Sequence, residues 1–277
     1  MSIIIGIDAG ISSTKILGIE SGKRIKSPMQ VHGSDSISAI HGALGRYLHT
    51  NNIPLEDVEH IMLTGVGARS LKGPVHGCLT TVVDEFKANG LGARFDSGLD
   101  HMIVVSMGTG TSMVRVDGDD IQHIGGIGMG GGTLLGLSKL LLHTSNIEEI
   151  AELAEDGIPD AVNLRIRDIT DDDIDGLFDD ATASLFARVL QFKPSENDIA
   201  AGLIHMVLET IGSSAVLSQL NNGFKDFVLI GSLTQLRACK YVFHELEKLY
   251  SVHFLIPKYA CYCTALGAAL SYRYENE

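Results

Sequence analysis

Two acidic residues, one lysine and three runs of small residues carry the chemistry legible in this chain. Asp8 follows the apolar run Ile3–Ile7 and precedes Ala9-Gly10-Ile11-Ser12-Ser13-Thr14-Lys15. A carboxylate at the carboxyl end of a buried strand sits where open α/β sheets bind ligands. Gly10, Ser12, Ser13 and Thr14 leave main-chain amides free to face phosphate oxygens, and Lys15 adds a cation. This pattern predicts a phosphate loop with Asp8 near a Mg2+ ion, through water. The competing reading is an ordinary hairpin with an Asp turn residue. The same context recurs where Gly108-Thr109-Gly110-Thr111-Ser112 follows Met102–Ser106. Two such loops can clamp a polyphosphate from both sides.

The third run, Gly125-Gly126-Ile127-Gly128-Met129-Gly130-Gly131-Gly132, is expected to open a helix over Thr133–His143. Amides at a helix start favour an anion. The run contains a formal G-x-G-x-x-G. A dinucleotide site also needs an acidic residue at a strand end about 20 residues on. That position falls in Ser145–Glu149, which reads as a helix start, so the dinucleotide reading is rejected. The chain has no G-x-x-x-x-G-K-S/T, so it is not a P-loop enzyme. Glu85, in Asp84-Glu85-Phe86 on a mostly apolar helix, reads as a general base for a substrate hydroxyl. Its bland alternative is a solvated helical carboxylate, with Asp84 beside it. Cys261-Tyr262-Cys263 has no second pair to complete a zinc site and reads as buried small apolar residues. The 11 histidines are scattered, and no Ser/His/Asp arrangement is legible.

The elements that must position these residues follow from hydrophobic periodicity. Strands are expected at Ile3–Ile7, Ile16–Glu20, Ile61–Leu63, Met102–Ser106, Met113–Asp117, Ile121–Ile124, Phe227–Ile230 and His253–Ile256, with a hairpin turn at Asp117-Gly118. Helices are expected at Ser34–Thr50, Val82–Leu91 (stopped by Gly92), Ile147–Glu155, Ala181–Val189, Ser195–Leu220, Leu233–Tyr250 and Thr264–Tyr272. The acidic stretch 156–180, with Asp171-Asp172-Asp173, is expected to be a loop connecting two lobes. Strands alternate with helices, so the class is α/β. The layout strand, small-residue turn, strand occurs near 3–20 and again near 102–117, which points to duplicated architecture.

Composition narrows the function classes. The chain has 277 residues and a formal net charge of −13, from 21 Lys and Arg against 34 Asp and Glu. An acidic surface repels phosphate backbones and anionic lipid, so no nucleic-acid or membrane partner is expected. No run approaches the 18 apolar residues of a spanning helix. Met1–Asp8 lacks the basic region and cleavage site of a signal peptide and reads as part of the fold. Four cysteines do not make a disulfide framework, and a cytoplasmic, reduced protein is expected. The 31 glycines are clustered, as where backbone comes close to a ligand.

Taken together, these residues resemble the type II pantothenate kinases of the actin-like sugar kinase and heat-shock ATPase superfamily. The likeness spans essentially the whole chain. The family's G-I-D-A-G-G-T-x-x-K stands as Gly6–Lys15, L-T-G as Leu63–Gly65 and E-F as Glu85-Phe86. Its V-G-T-G-T-S is Met107–Ser112, and V-G-G-I-G-x-G-G-G-x-x-x-G-L is Ile124–Leu137, the most specific match. I-G-S is Ile230–Ser232, and A-x-G-A is Ala265–Ala268. The resemblance implies a two-lobed actin-like (ribonuclease H-like) ATPase fold with lobes at 1–100 and 101–277 and a nucleotide cleft between them. It implies an ATP site of Asp8, Ala9, Gly10, Ile11, Ser12, Ser13, Thr14, Lys15, Thr109, Gly131, Gly132, Thr133, Leu134, Leu135, Ile147 and Ser232. Glu85 and His123 would be catalytic, Gly110, Thr111 and Ser112 would contact the acceptor, and Mg2+ would lie by Asp8.

The implied function is ATP-dependent phosphorylation of pantothenate or a close analogue, in coenzyme A biosynthesis, by a homodimer with the long helix Ser195–Leu220 as a dimer element. Three positions depart from the pattern: Ile11 and Ser12 replace Gly-Thr, and His123 replaces an arginine. A guanidinium is always charged and forked, whereas imidazole is half-charged at best near neutrality. His123 therefore leaves open a related kinase with another acceptor, or a low-activity nucleotide-binding regulator. The ATPase activators of 2-hydroxyacyl-CoA dehydratases share the opening motif but need a cysteine where this glycine loop has Met129.

Overall fold

The structure is a computed structural model and describes residues 2–20, 24–33, 35–170, 178–219 and 222–274. The chain opens with a hairpin, β1 (Ile3–Ala9) and β2 (Thr14–Glu20), to which β3 (Arg24–Ile25) and β4 (Met29–Val31) add along the outer edge of β2. Helix α1 (Ser36–Thr50) crosses over to β5 (Val58–Thr64), which pairs parallel to β1, and β6 (Thr80–Val82) pairs parallel to β5. Helix α2 (Glu85–Ser97) leads to a second hairpin, β7 (His101–Met107) and β8 (Thr111–Asp117), extended antiparallel by β9 (Asp120–Ile127). After α3 (Gly131–Leu141), α4 (Ile147–Glu155), the small pair β10 (Leu164–Arg165) and β11 (Thr182–Ser184), and α5 (Glu196–Leu217), strand β12 (Asp226–Ile230) pairs parallel to β7. Helix α6 (Arg237–Tyr250), β13 (His253–Leu255) and α7 (Cys263–Tyr274) complete the chain.

The two large sheets repeat one plan. Their strand orders are β3-β2-β1-β5-β6 and β9-β8-β7-β12-β13, so each has a central hairpin flanked by two parallel strands. The duplication expected from the two strand-turn-strand stretches is present in the pairing itself. The period-2 alternation of β1 sends Ile3, Ile5, Ile7 and Ala9 into the core under α1. Gly6 and Asp8 take the opposite face, toward α7.

Helices α2 and α7 are exchanged between the sheets. Phe86 and Ala93 of α2 pack with Met102, Val104, Val114 and Val116 of the second sheet. Ala265, Leu266, Ala269 and Leu270 of α7 pack with Leu17 and Ile19 of the first. The two helices cross where glycines face backbone. A Cβ on Gly92 would lie 2.0 Å from the Cys263 carbonyl oxygen, and one on Gly267 would lie 1.7 Å from that of Ala88. Gly92, expected to stop a helix after Leu91, is therefore an interior packing residue. The helix runs from Glu85 to Ser97 and closes at Gly98, whose φ of +74° suits glycine. Val82, expected to begin that helix, belongs to β6.

Other expectations are corrected by tertiary pairing. Gly125–Ile127 lie in β9, and the helix of the glycine run begins at Gly131 and ends at Leu141, before His143. Ala181–Val189 is not helical: Thr182–Ser184 pairs with Leu164–Arg165, and Ala187–Leu190 forms a 3-10 turn. Arg165 fixes this arrangement by donating to the Asp180 carbonyl and the Thr182 hydroxyl. The acidic stretch does not connect lobes, because α4 before it and α5 after it both belong to the second half. Among its described residues, Asp160 pairs with Arg165 and Arg167, and Asp168 with Arg188. Asp171-Asp172-Asp173, and the helix ends expected at Ser34 and Leu220, lie outside the described residues. Leu233–Tyr250 is broken at Leu236 into the 3-10 turn Ser232–Gln235 and α6.

Helix α5 is long and apolar enough to cross a membrane by length and composition, and it is the core helix of the second half. Residues 200–205, 207, 208, 211, 212, 215 and 216 are buried, while Met206, Glu209, Thr210, Ser213, Ser214 and Leu217 form a stripe along the helix that is not fully buried.

The crossing predicts an asymmetric pair of glycine substitutions. Gly267→Ala forces backbone apart and should lower unfolding free energy by about 3 kcal/mol or more, the upper range for overpacking. Gly42→Ala, in α1 where an added Cβ would meet nothing within 4 Å, should raise it by about 0.5–1 kcal/mol. Urea denaturation of the two variants measures both.

Candidate active site

One cavity of about 1130 Å³ lies between the two sheets, reached by the carboxyl ends of β1, β5, β7 and β12. Asp8, near the end of β1, is opposite Lys15 of β2 and Thr64 of β5. Both charged residues are buried, at 8% and 7% exposure. Burial raises the Asp8 pKa above the ordinary carboxylate value, and the Lys15 charge lowers it by less. Glu85 begins α2, with Asp84 as its N-cap, accepting from Lys87 N at 2.9 Å. The two neighbouring acids therefore divide: Asp84 caps the helix, while Glu85 faces the cavity. Burial first, then the charges of Asp8 and Asp84, raise the Glu85 pKa, against Lys15 and Arg69. A carboxylate so placed is a stronger proton acceptor than a free glutamate.

The two small-residue loops meet. Gly10 N donates to Ser13 O at 3.1 Å, which closes the first turn. Ser12 Oγ lies 3.1 Å from Thr109 Oγ1, across the cleft. The second loop is joined to the glycine run by Gly131 N to Gly108 O and Gly132 N to Thr109 O, both 2.8 Å, and by Thr111 Oγ1 to Met129 O, 2.8 Å. The first two amides of α3 are therefore occupied by main-chain carbonyls. That differs from the expectation that they face an anion directly, and it makes the loop and helix one rigid unit.

Each parallel strand beside a hairpin ends in a glycine of left-handed φ, Gly65 at +90° and Gly231 at +98°. A Cβ there would lie 2.6 Å from Ala9 O in the first case and 2.4 Å from Met107 O in the second. The L-T-G and I-G-S stretches are thus the same device in the two halves. They let the chain turn away flush against the end of the first strand of each hairpin.

Of the residues expected at the site, Asp8, Gly10, Ile11, Ser12, Ser13, Lys15, Glu85, Thr109, Gly110, Thr111, Ser112, His123, Gly131, Leu135, Ile147 and Ser232 line this cavity. Ala9, Thr14, Gly132, Thr133 and Leu134 do not. Ala9 and Leu134 are core residues, Thr14 is buried in the β2 pairing, and Thr133 Oγ1 donates to Gly128 O. His123 is exposed and stacks on Phe86, ring centroids 3.9 Å apart and planes at 14°. Sequence reasoning missed Gln30 and His32 at and beyond β4, Ser106 at the end of β7, and Thr264 at the start of α7. Only Ser106 carried a signal: it takes the place in β7 that Asp8 takes in β1. Among the described residues, no group of three or more His, Cys, Asp and Glu is placed to hold a metal.

A sequence model of the Fumble family matches residues 97–271. The type II pantothenate kinase of Staphylococcus epidermidis is 31% identical over 236 residues, covering 82% of this chain and 84% of that protein. The crystal structure of component A of the Acidaminococcus fermentans (R)-2-hydroxyglutaryl-CoA dehydratase superposes with a TM-score of 0.72 at 21% identity, over the whole of both chains. A ROK family glucokinase from Streptomyces griseus, in complex with glucose and AMPPNP, does so with a TM-score of 0.60 at 13% identity, covering 97% of this chain and 98% of that one. These neighbours share the actin-like ATPase fold with this chain.

The buried Asp8 gives a prediction with a definite sign. A carboxylate whose folded-state pKa is raised stabilises the fold least once pH exceeds that value. Wild-type thermal stability should therefore carry a component that is lost as pH rises through the folded-state pKa of Asp8. Asp8→Asn, which leaves the buried Lys15 without its counter-charge, should lose the heat of Mg-ATP binding in titration calorimetry.

Proposed function

The chain belongs to the type II pantothenate kinase family, and we propose that it transfers the γ-phosphoryl group of ATP to the primary hydroxyl of pantothenate with Glu85 as the base. Membership makes the protein an ATP-dependent kinase of coenzyme A biosynthesis. The observation that carries the residue assignment is the convergence of Glu85, Asp8, Lys15 and both small-residue loops on one cavity. Glu85 would take the proton of the acceptor hydroxyl as its oxygen attacks phosphorus. The loops Gly10–Ser13 and Gly108–Ser112 would hold the phosphates from the two halves, with main-chain amides and the Ser12 and Thr109 hydroxyls. Lys15 would offset negative charge at the same end. Leu135 and Ile147, from α3 and α4, would form the apolar wall of the nucleoside end.

Asp8 fits a Mg2+ ion: it is a hard oxygen donor, buried, with its charge disfavoured until a cation arrives. Bound there, Mg2+ would neutralise phosphate charge. The homodimer also belongs to this reading. Exposed Leu190 and Phe192, at 88% and 63%, mark one apolar surface for it.

Glu85→Gln should lower kcat by about 10²-fold or more and leave Mg-ATP binding intact, measured by coupled ADP release with pantothenate and by calorimetry. In wild type, the acid limb of kcat/KM should lie above the glutamate value of 4.5, because the base must be deprotonated and its pKa is raised. An unchanged rate in the variant removes Glu85 from the mechanism.

A further inference from the structure

We infer that Asn89 is a positioning residue for Glu85: its side-chain N–H donates to the Glu85 carboxylate and holds it toward the acceptor hydroxyl. The inference rests on the reading of Glu85 as the base and deepens it. Asn89 is fully buried, and its Nδ2 has no hydrogen-bond partner. A buried donor without an acceptor is costly and rare, so its retention calls for a role. Asn89 stands one turn after Glu85 on α2, at i+4, so the two share a helix face. Side chains on a helix lean toward its N-terminus, which carries the Asn89 amide back toward the turn that holds Glu85.

Thr264 fixes which end of the amide is free. It lines the same cavity as Glu85, and its Oγ1 donates to Asn89 Oδ1 at 2.7 Å. That bond occupies the acceptor end of the amide and leaves the Nδ2 end open. The pair sits at the crossing of α2 and α7. Asn89 precedes Gly92 by three residues, as Thr264 precedes Gly267, and each glycine packs against a carbonyl of the other helix. The two side chains thus hold equivalent places where the backbones approach most closely, so the amide has little room to drift. Glu85 has no such counterpart, because the residue four before Thr264 is Ala260. One donor at the crossing therefore serves one carboxylate. Hydrogen bonds that order a catalytic base are often open until the substrate docks. Rotation of the Glu85 side chain closes this one: one carboxylate oxygen accepts from Asn89, and the other takes the proton of the acceptor hydroxyl.

A double-mutant cycle in kcat tests this, read by coupled ADP release with pantothenate. Asn89→Leu keeps the size of the side chain and removes the donor. In the wild-type background kcat should fall about tenfold, as for loss of one hydrogen bond to a charged group. KM for Mg-ATP should stay within about twofold. In a Glu85→Gln background the same change should cost less than about twofold, because no base is left to position. Thr264→Val, which frees the amide plane, should follow the same pattern, and Thr264→Ser, which keeps the hydroxyl, should recover most of the loss. Equal factors in both backgrounds assign Asn89 a packing role and overturn the inference, as does an undiminished kcat in Asn89→Leu. If Asn89→Leu does not fold, the Thr264→Val cycle decides by the same criterion. Wild-type turnover in Glu85→Gln alone removes the base itself, a failure distinct from the others.

Discussion

The backbone contact between α2 and α7 holds this molecule together as a catalytic object. Each helix follows one sheet in sequence and packs on the other, and each needs a glycine at the crossing, Gly92 and Gly267, because the partner's carbonyl occupies the space a Cβ would take. Glu85 opens α2, so the crossing sets where the carboxylate stands relative to Asp8. Thr264, in the first turn of α7, lines the cavity and donates to buried Asn89 one turn beyond Glu85. A shift of either helix would move Glu85 relative to the two small-residue loops. Transfer of a phosphoryl group depends on such placement more than on covalent chemistry by the protein.

Electrostatics explains why small-residue loops line the cavity. A protein with 34 acids and 21 bases cannot attract a polyphosphate by net charge, so fixed dipoles near the ligand must do so. The buried Lys15 and the raised pKa of Asp8 and Glu85 express the same constraint. Carboxylates gathered in a closing cleft are costly until a cation and a proton-bearing hydroxyl arrive.

The duplicated plan gives each half a matching set of parts. Asp8 and Ser106 take equivalent places in β1 and β7, and Gly65 and Gly231 make equivalent turns after β5 and β12. The halves have diverged in what fills those places. The first keeps the carboxylate and the lysine, and the second is welded to α3 through Gly131 and Gly132. The Ser12–Thr109 contact joins them across the cleft.

The sequence by itself determined the alternation of strands and helices, the two hairpins with small-residue loops, and the exclusion of P-loop and dinucleotide sites. These are local: strand periodicity and turn composition act within a few residues. Family motifs added Glu85 and the glycine block, which spacing alone left beside bland alternatives. Only the tertiary structure decided that Asp84 caps while Glu85 faces the cavity, and that Gly92 packs where it was expected to stop a helix. It also decided that residues 182–184 pair as strand, and that the α3 amides are already taken. The last three of those outcomes depend on a partner far away in the chain: Cys263 for Gly92, Leu164–Arg165 for Thr182–Ser184, Gly108 and Thr109 for Gly131 and Gly132. No reading of neighbouring residues contains that information, because the deciding atoms meet only once distant stretches of the chain have packed together.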